Sequence, residues 1–266
     1  MTDLVTIDVQ DHIADVRLNR AEKYNALSPD MFKAIIDAGE QLAEAKEVRA
    51  VVLSGNGRGF CAGLDMTSMQ GLGGGGEGAT GSGLLSRDDR PENHAQRPAL
   101  VWRRVPVPVI AAVHGVAYGG GCQIALGADM RIATPDAKIS VMEIKWGLIP
   151  DMSITQTLRD LVPMDVAKEL TFTGRVMSGE EAKAYGLVTH VDENAHARAM
   201  SIAEEISGKS PDAIRAGKKL FEESWRASAR DGLELESKLQ VELIGSANQM
   251  EAVKANFEKR APEFKD

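Results

Sequence analysis

One stretch near the middle of the chain constrains its fold more than any other. Val109 to Val113 contains no polar residue, which is typical of a strand buried on both faces of a sheet. A glycine cluster follows, a helix is predicted from about Gly120 to Leu126, and Met130 to Ala133 predicts the next strand. The order strand, glycine turn, helix and strand predicts a parallel α/β sheet connected by right-handed crossovers.

The N-terminal part adds elements of the same kinds. Leu4 to Gln10 and Ile13 to Leu18 alternate apolar and polar residues, which predicts a hairpin with one buried face. A Ser-Pro-Asp sequence at Ser28 predicts a capped helix that ends near Glu47. Val48 to Leu53 is then a predicted buried strand. The chain therefore begins with the order strand, strand, helix, strand.

Two later regions differ from this pattern. Gly71 to Gly83 is mostly glycine and has too few apolar side chains to offset its ordering entropy, so we predict a mobile or disordered loop. Helical spacing dominates from Ser153 onward, and we divide the chain into a main domain, residues 1–200, and a helical C-terminal region, residues 201–266. The helices predicted in the second half are Val162–Thr171, Gly179–Ala184, Ala195–Ile206 and a stretch from Gly217 to the end.

Composition argues against several classes of function. A net charge of −8 opposes the attraction that drives nucleic-acid binding, so no nucleic acid is expected as a partner. No long stretch lacks charged and turn residues, and no basic and apolar leader opens the sequence, so we expect no membrane span. Cys61 and Cys122 lie far apart, and the histidines lack the paired spacing of a zinc site. These features predict a cytoplasmic protein with reduced thiols and no metal.

The glycine cluster also has a chemical implication. The first N–H groups of a helix that starts at Gly120 have no partners within the helix, and they favour an anion or a developing oxyanion. A second turn, Phe60 to Asp65, follows the earlier strand and can supply another N–H to the same oxygen. Two such donors make an oxyanion hole. A tight turn for close helix packing is the alternative for such a cluster taken alone.

Three segments in this order resemble one known family. FCAGLD, AAVHGVAYGGGCQIALGADMRIA and EIKWGLIPD are similar to the enoyl-CoA hydratase/isomerase family, the crotonases. The similarity extends from Asn19 to Arg260. It implies an α/β fold, a crotonase-like repeated ββα superhelix with a helical C-terminal trimerisation region. It also implies an acyl-CoA thioester substrate, a homotrimer or hexamer, and no cofactor apart from the coenzyme A of the substrate.

The resemblance assigns roles to individual positions. It implies that the backbone N–H groups of Leu64 and Gly120 form the oxyanion hole for the thioester carbonyl. Ala62 would lie against the adenine end of coenzyme A. Lys23 and Lys259 are candidates for contacts with its phosphates, and solvated surface charges are the alternative for both lysines.

Two further positions concern acid–base chemistry. Family hydratases resemble one another in carrying a glutamate just after the glycine cluster and a second one on the following loop. Here the first position is Gln123, whose amide can orient water or bond a substrate but cannot transfer a proton. The second matches Glu143, whose apolar neighbours would raise its pKa into a useful range. Glu143 is therefore the predicted catalytic residue, with an exposed surface glutamate as the alternative.

The resemblance also concerns Asp151. Isomerases of the family that act on dienoyl-CoA carry an aspartate at the position that Asp151 matches. Capping of a helix that begins near Met152 is the alternative role. A single base suffices to move a double bond, so an isomerase that uses Glu143, with Asp151 as a second candidate, is favoured. The alternatives are a hydratase or dehydratase with one retained glutamate and, more remotely, a non-catalytic acyl-CoA or RNA binding protein. Packing in the interior is expected for Trp102 and Trp146, with lining of the pocket as the alternative.

Overall fold

The structure, a computed structural model, describes residues 3–65 and 84–266. The predicted glycine-rich loop from Gly71 to Gly83 lies outside the described residues. Within the described residues, no helix has both the length and the apolar character needed to cross a membrane.

Eight strands form two sheets in the described part of the chain. The strands are β1 (Val5–Gln10), β2 (Ile13–Leu18), β3 (Ala50–Gly55), β4 (Val109–Val113), β5 (Val116–Tyr118), β6 (Met130–Ala133), β7 (Lys138–Ser140) and β8 (His190–Val191). The main sheet has the order β1, β2, β3, β4, β6, β8, and only the β1–β2 pair is antiparallel. β5 and β7 pair in parallel as the second sheet. The predicted N-terminal hairpin and the predicted parallel sheet are confirmed.

A repeated unit explains why there are two sheets. β4 and β6 lie side by side in the main sheet, and the strands that follow them, β5 and β7, lie side by side in the small sheet. After β3 the chain makes the same step, because Cys61 forms a bridge with Ala117 of β5. Each unit thus places its first strand in one sheet and its second in the other. The predicted α/β fold of repeated units is confirmed.

Ten α-helices occur in the described residues. They are α1 (Pro29–Glu44), α2 (Arg97–Arg104), α3 (Gly120–Leu126), α4 (Ile154–Thr157), α5 (Met164–Thr173), α6 (Gly179–Ala184), α7 (Ala195–Ser207), α8 (Pro211–Ser224), α9 (Ala229–Leu243) and α10 (Ala247–Glu258). Two short 3-10 helices span Ala21–Lys23 and Glu143–Trp146.

Several predicted boundaries need correction. α1 ends at Glu44 rather than near Glu47, because Ala45 is extended, and β3 accordingly begins at Ala50 rather than Val48. α5 begins at Met164 rather than Val162, because Pro163 is its N-cap and a proline disfavours helical backbone in the residue before it.

The predicted C-terminal stretch from Gly217 is three helices that start at Pro211. Serine side chains define where these helices begin. Ser210, Ser228 and Ser246 are the N-caps of α8, α9 and α10, and each accepts a hydrogen bond from a backbone N–H in the first turn. The predicted division after residue 200 falls inside α7. That the two parts are separate units stays a prediction.

The core lies on both faces of the main sheet, and β3 shows how. Val51 and Leu53 face the larger apolar cluster, which α1, α2 and α3 cover, while Ala50 and Val52 face a smaller cluster. α7 covers that second face with buried alanines at 195, 199 and 203. Every residue of β3 and β4 is buried, as the apolar runs predict. These strands end at the edge where the glycine turns begin.

One lysine fastens the C-terminal region to this core. The side chain of Lys218 in α8 is only 6% exposed, and its Nζ lies 2.7 Å from Asp129 Oδ2. The same Nζ donates to the carbonyl oxygens of Trp102 and Val107 at 3.1 and 3.0 Å. Asp129 Oδ2 also accepts a hydrogen bond from the N–H of Val109, the first residue of β4. Lys218 therefore ties α8 to the start of a central strand.

We expect Lys218→Met to lower the free energy of unfolding by about 3 kcal/mol, because it leaves the Asp129 carboxylate and two carbonyl groups without their buried cation. Urea unfolding followed by circular dichroism measures the change. Lys219→Met is the matched control, since Lys219 is exposed and its substitution should change stability by less than about 0.5 kcal/mol. Equal effects of the two substitutions would contradict the anchoring role.

Candidate active site

Two backbone turns meet at the edge of the sheet where β3 and β4 end. The N–H of Cys61 donates to Val116 O at 2.9 Å, and the N–H of Tyr118 donates to Cys61 O at 3.0 Å. A Cβ added at Gly63 would lie 2.7 Å from Tyr118 O and 3.6 Å from Gly120 N. Only a residue without a side chain allows this approach. The segment that contains Leu64 is thereby held against the first residue of α3.

Asn25 fixes the loop that enters this contact. Its side chain is fully buried, and its Nδ2 donates to the carbonyl oxygens of Asn56, Gly59 and Phe60 at 3.0 to 3.1 Å. Its Oδ1 accepts a hydrogen bond from Arg20 N at 2.8 Å. Asn25 has a φ of 56°, a left-handed conformation that asparagine tolerates better than most residues. The Asn25 side chain thus supplies the hydrogen bonds that strand pairing would otherwise provide to the backbone of this loop.

A cleft of about 320 Å³ opens beside the two turns. Its walls bring together residues from the first 3-10 helix, both turns and the second 3-10 helix. Five residues predicted from the sequence line it, namely Lys23, Ala62, Leu64, Gly120 and Glu143. The other described residues of the wall are Ala26, Gly63, Asp65, Gly119, Met142, Trp146 and Leu148. The predicted positions, which span 121 residues of sequence, therefore share one cavity.

The backbone N–H groups of Leu64 and Gly120 are uncommitted in the part of the chain that the structure describes. Neither donates a hydrogen bond there, although the neighbouring N–H groups of Asp65 and Gly119 do. Gly120 is the first residue of α3, where helical N–H groups lack intrahelical partners. Two free donors on adjacent turns of one cleft can stabilise negative charge on a carbonyl oxygen.

Glu143 is a carboxyl group in the wall of the cleft. Burial raises the pKa of its carboxyl above the ordinary value; hydrogen bonds from its own backbone and from Gln123 oppose this rise, and the charge of Asp151 adds to it. Within the described residues, its Oε2 is buried and has no hydrogen-bond partner. A Cβ added at Gly119 would lie 3.3 Å from its Oε1. A carboxyl whose pKa is raised is a better proton donor–acceptor pair for catalysis than an ordinary surface carboxyl.

Gln123 does not line the cleft. It is fully buried beneath Glu143, and its Nε2 donates to Glu143 Oε1 at 2.6 Å. Its Oε1 accepts a hydrogen bond from Met152 N at 2.9 Å. The sequence predicts a contact of Gln123 with water or substrate, whereas the structure places its amide between two groups of the protein.

Asp151 lies at the end of the loop that follows Glu143, outside the cleft wall, and it is exposed. Partial desolvation raises the pKa of its carboxyl, and the charge of His94 opposes the rise. The capping alternative for Asp151 is wrong. The helix that follows begins at Ile154, its N-cap is Ser153, and no side chain caps it.

Lys259 is not brought to the cleft within this chain. It is the C-cap of α10, and the tail beyond it turns to the opposite edge of the sheet. There Arg49 Nη2 donates to Phe264 O and Arg49 Nε donates to the carboxylate of Asp266. Arg49 directly precedes β3, whereas the cleft lies beyond the other end of that strand.

Sequence reasoning missed part of the wall. Trp102 is fully buried, as expected, but Trp146 is 49% exposed and lines the cleft together with Leu148 and Met142. The expectation that Trp146 packs in the interior is therefore wrong. A signal was present, because residues three apart eclipse on a 3-10 helix. Glu143 and Trp146 begin and end such a helix, so they face the same side.

Comparison with known proteins identifies the family of the chain. The family model described as enoyl-CoA hydratase/isomerase matches residues 8–266. The chain belongs to this family. The mitochondrial methylglutaconyl-CoA hydratase of Mus musculus is 33% identical over 255 residues, 93% of this chain and 78% of that protein. The enoyl-CoA hydratase EchA19 of Mycobacterium tuberculosis is 31% identical over 262 residues, 98% of this chain and 96% of that protein.

Comparison of the fold with solved structures gives the same family. The crystal structure of an enoyl-CoA hydratase from Bacillus anthracis superposes with a TM-score of 0.89 at 31% identity, covering 98% of this chain and 99% of that one. The crotonase fold that the sequence resemblance implies is therefore confirmed. Membership of this family makes the protein an acyl-CoA enzyme.

We expect Asn25→Ala to lower the free energy of unfolding by about 3 kcal/mol, because several buried backbone groups lose their partners at once. Urea unfolding measures the loss. Asn256→Ala is the matched control, since Asn256 is exposed on α10 and alanine favours a helix. An Asn25→Ala protein as stable as the control would refute the role assigned to this side chain.

Proposed function

We propose that the protein is an enoyl-CoA double-bond isomerase in which Glu143 moves a proton between two carbons of the substrate. The observation that carries the proposal is the carboxyl set of the cleft. Asp65 and Glu143 both line it, but Asp65 is held in an ion pair with Arg20 at 2.6 Å. Among the described residues of the cleft wall, Glu143 has a carboxyl oxygen without a hydrogen-bond partner. One base suits isomerisation, which needs no activated water.

In the proposed reaction the thioester oxygen accepts hydrogen bonds from Leu64 N–H and Gly120 N–H. These donors favour the enolate form and so acidify the carbon next to the thioester. Glu143 takes a proton from that carbon, and the electron pair spreads over the former double bond into the carbonyl oxygen. The same proton then returns to the far carbon of the allylic system. Mass is unchanged, and the double bond becomes conjugated with the thioester.

The contacts proposed for coenzyme A follow the cleft wall. Ala62 and Lys23 lie on it, which supports an adenine contact for the first and a phosphate contact for the second. Lys259 lies outside the wall, so within one chain Lys23 is the better phosphate candidate. We propose no separate cofactor, because proton transfer and oxyanion stabilisation account for the reaction.

Two properties of the whole protein remain predictions. Assembly into a trimer or hexamer is supported by large apolar side chains exposed on the C-terminal helices. The cytoplasmic location is supported by the bacterial relatives, whereas other relatives are named mitochondrial. The exposed apolar residues in question are Phe221, Trp225, Leu233, Val241, Ile244 and Phe257.

Hydration of a 2-enoyl-CoA is the second candidate reaction. The names of the relatives favour it, since both relatives described above are called hydratases. Glu143 would then serve as acid and base, and Asp151, whose pKa is also raised, would help to place water. Gln123 argues against this reaction, because an amide cannot supply a second proton-transfer group.

The decisive experiment incubates the purified protein separately with 3-enoyl-CoA, 3,5-dienoyl-CoA and 2-enoyl-CoA of medium chain length. Products are identified by mass and absorbance. We expect a conjugated product of unchanged mass from 3-enoyl-CoA or 3,5-dienoyl-CoA. Gain of one water by 2-enoyl-CoA, with no isomerised product, would establish the hydratase instead. Tight binding without any product would favour a non-catalytic role.

We expect Glu143→Gln to lower kcat by about a hundredfold or more, because a positioned acid–base group contributes at least this factor to proton transfer. Turnover of the substrate found in the product assay measures the loss. Glu180→Gln is the matched control, since Glu180 is exposed on α6 and should turn over like the wild type. Full turnover by Glu143→Gln would remove Glu143 from the mechanism.

A further inference from the structure

The orientation of the Gln123 carboxamide is fixed from both sides. Met152 N–H can only donate, so it must face the amide oxygen, and the contact is 2.9 Å. The ionised carboxylate of Glu143 can only accept, so it must face the amide nitrogen, and that contact is 2.6 Å. Both neighbours demand the same orientation. Gln123 therefore presents a permanent donor to Glu143 Oε1.

A permanent donor makes the two oxygens of Glu143 different. A proton placed on Oε1 toward Gln123 would oppose the amide N–H, and both groups would be donors with no acceptor between them. Oε2 has no hydrogen-bond partner within the described residues and is shielded from solvent. A proton is therefore accommodated on Oε2 without breaking the contact to Gln123.

We propose that Gln123 is a positioning residue that holds Glu143 Oε1 as an acceptor and so fixes the orientation of the carboxyl that exchanges a proton with the substrate. The assignment deepens the proposed function and rests on it. It also replaces direct substrate contact as the role of Gln123, because this side chain is fully buried and lies outside the cleft wall.

Met152 extends this arrangement to the oxyanion site. Its N–H bonds Gln123, while a Cβ added at Gly120 would lie 2.6 Å from its Sδ. One residue thus touches both the glycine whose N–H is free and the amide that holds the base.

The charged groups around Glu143 come from several elements. Asp151, on the loop that follows the second 3-10 helix, raises the pKa of Glu143. Lys23 and Asp65 line the same cleft, and Asp65 is paired with Arg20. Cys122 in α3 is neutral, since burial raises its pKa to about 12. Gln123 is the neighbouring side chain that bonds the carboxylate directly.

The first test measures the titration of Glu143 without substrate. The protein is labelled with glutamate carrying 13C at the carboxyl carbon, and the Glu143 signal is identified by its loss in Glu143→Gln. In Gln123→Met the donor is gone, so the charged form loses stabilisation and the pKa of Glu143 should rise above that of the wild type. Gln156→Met is the control, because Gln156 is exposed, and it should leave the titration unchanged.

Gln123→Glu provides a second variant if Gln123→Met does not fold. Its carboxyl can still accept from Met152 N–H and, when protonated, donate to Glu143, so the packing is kept. Two carboxyls at this distance share a proton, and the pair should titrate in two steps, the upper one above the wild-type value. The size of the side chain is unchanged, so this shift reports charge rather than packing.

Kinetics provide the second readout. Gln123→Met should lower kcat by about ten- to hundredfold, the effect of losing a hydrogen bond to a charged group, with KM unchanged. The acid limb of the kcat profile should move to higher pH along with the titration. A rise of KM with unchanged kcat would instead show direct substrate binding by Gln123.

The outcomes separate this inference from the proposed function. If the wild type converts no enoyl-CoA, the proposed function fails, and the titration still decides whether Gln123 stabilises the carboxylate. An unchanged Glu143 titration in both Gln123→Met and Gln123→Glu would overturn the positioning role. A higher pKa in both variants, with Gln156→Met like the wild type, is the result that supports it.

Discussion

The rest of the site depends on the approach of two backbone turns that leaves no room for side chains. A Cβ at Gly121 would lie 2.3 Å from Cys61 O, and one at Gly115 would lie 2.0 Å from Arg58 O. This contact forms the cleft, because it places Leu64 beside the start of α3. It also determines what surrounds it, since Asn25 must satisfy the carbonyl groups that the tight turns leave unpaired.

A carboxyl that acts as a base in such a site must be removed from water and still be able to ionise. Burial alone would favour the neutral form of Glu143, and the amide of Gln123 opposes that tendency. The amide supplies a hydrogen bond and no charge. A second glutamate at this position would add a carboxyl group, and the two carboxyl groups would then share one proton. Replacing a carboxyl by an amide therefore changes the protonation of its neighbour as well as its own.

The sequence predicts the regular elements near the site better than the site itself. β4, α3 and β6 follow from apolar runs and glycines, because burial on both faces of a strand requires them. The boundaries that failed depend on local backbone, as at Pro163. The contact of Gln123 with Glu143 joins residues 20 positions apart, and no periodicity predicts it. Interior packing is expected for Trp146, but its partial exposure depends on a cleft that only the assembled turns create.

The link between Lys218 and Asp129 joins residues 89 positions apart, and Asp129 in turn bonds the first N–H of β4. During synthesis on the ribosome, β4 is complete long before its anchor in α8 has been made. A strand that waits for such a distant partner raises the contact order of the protein, and folding slows as contact order rises. The chain must therefore pass through a period in which the strand that carries the glycine turn has been made but the lysine that fastens it has not.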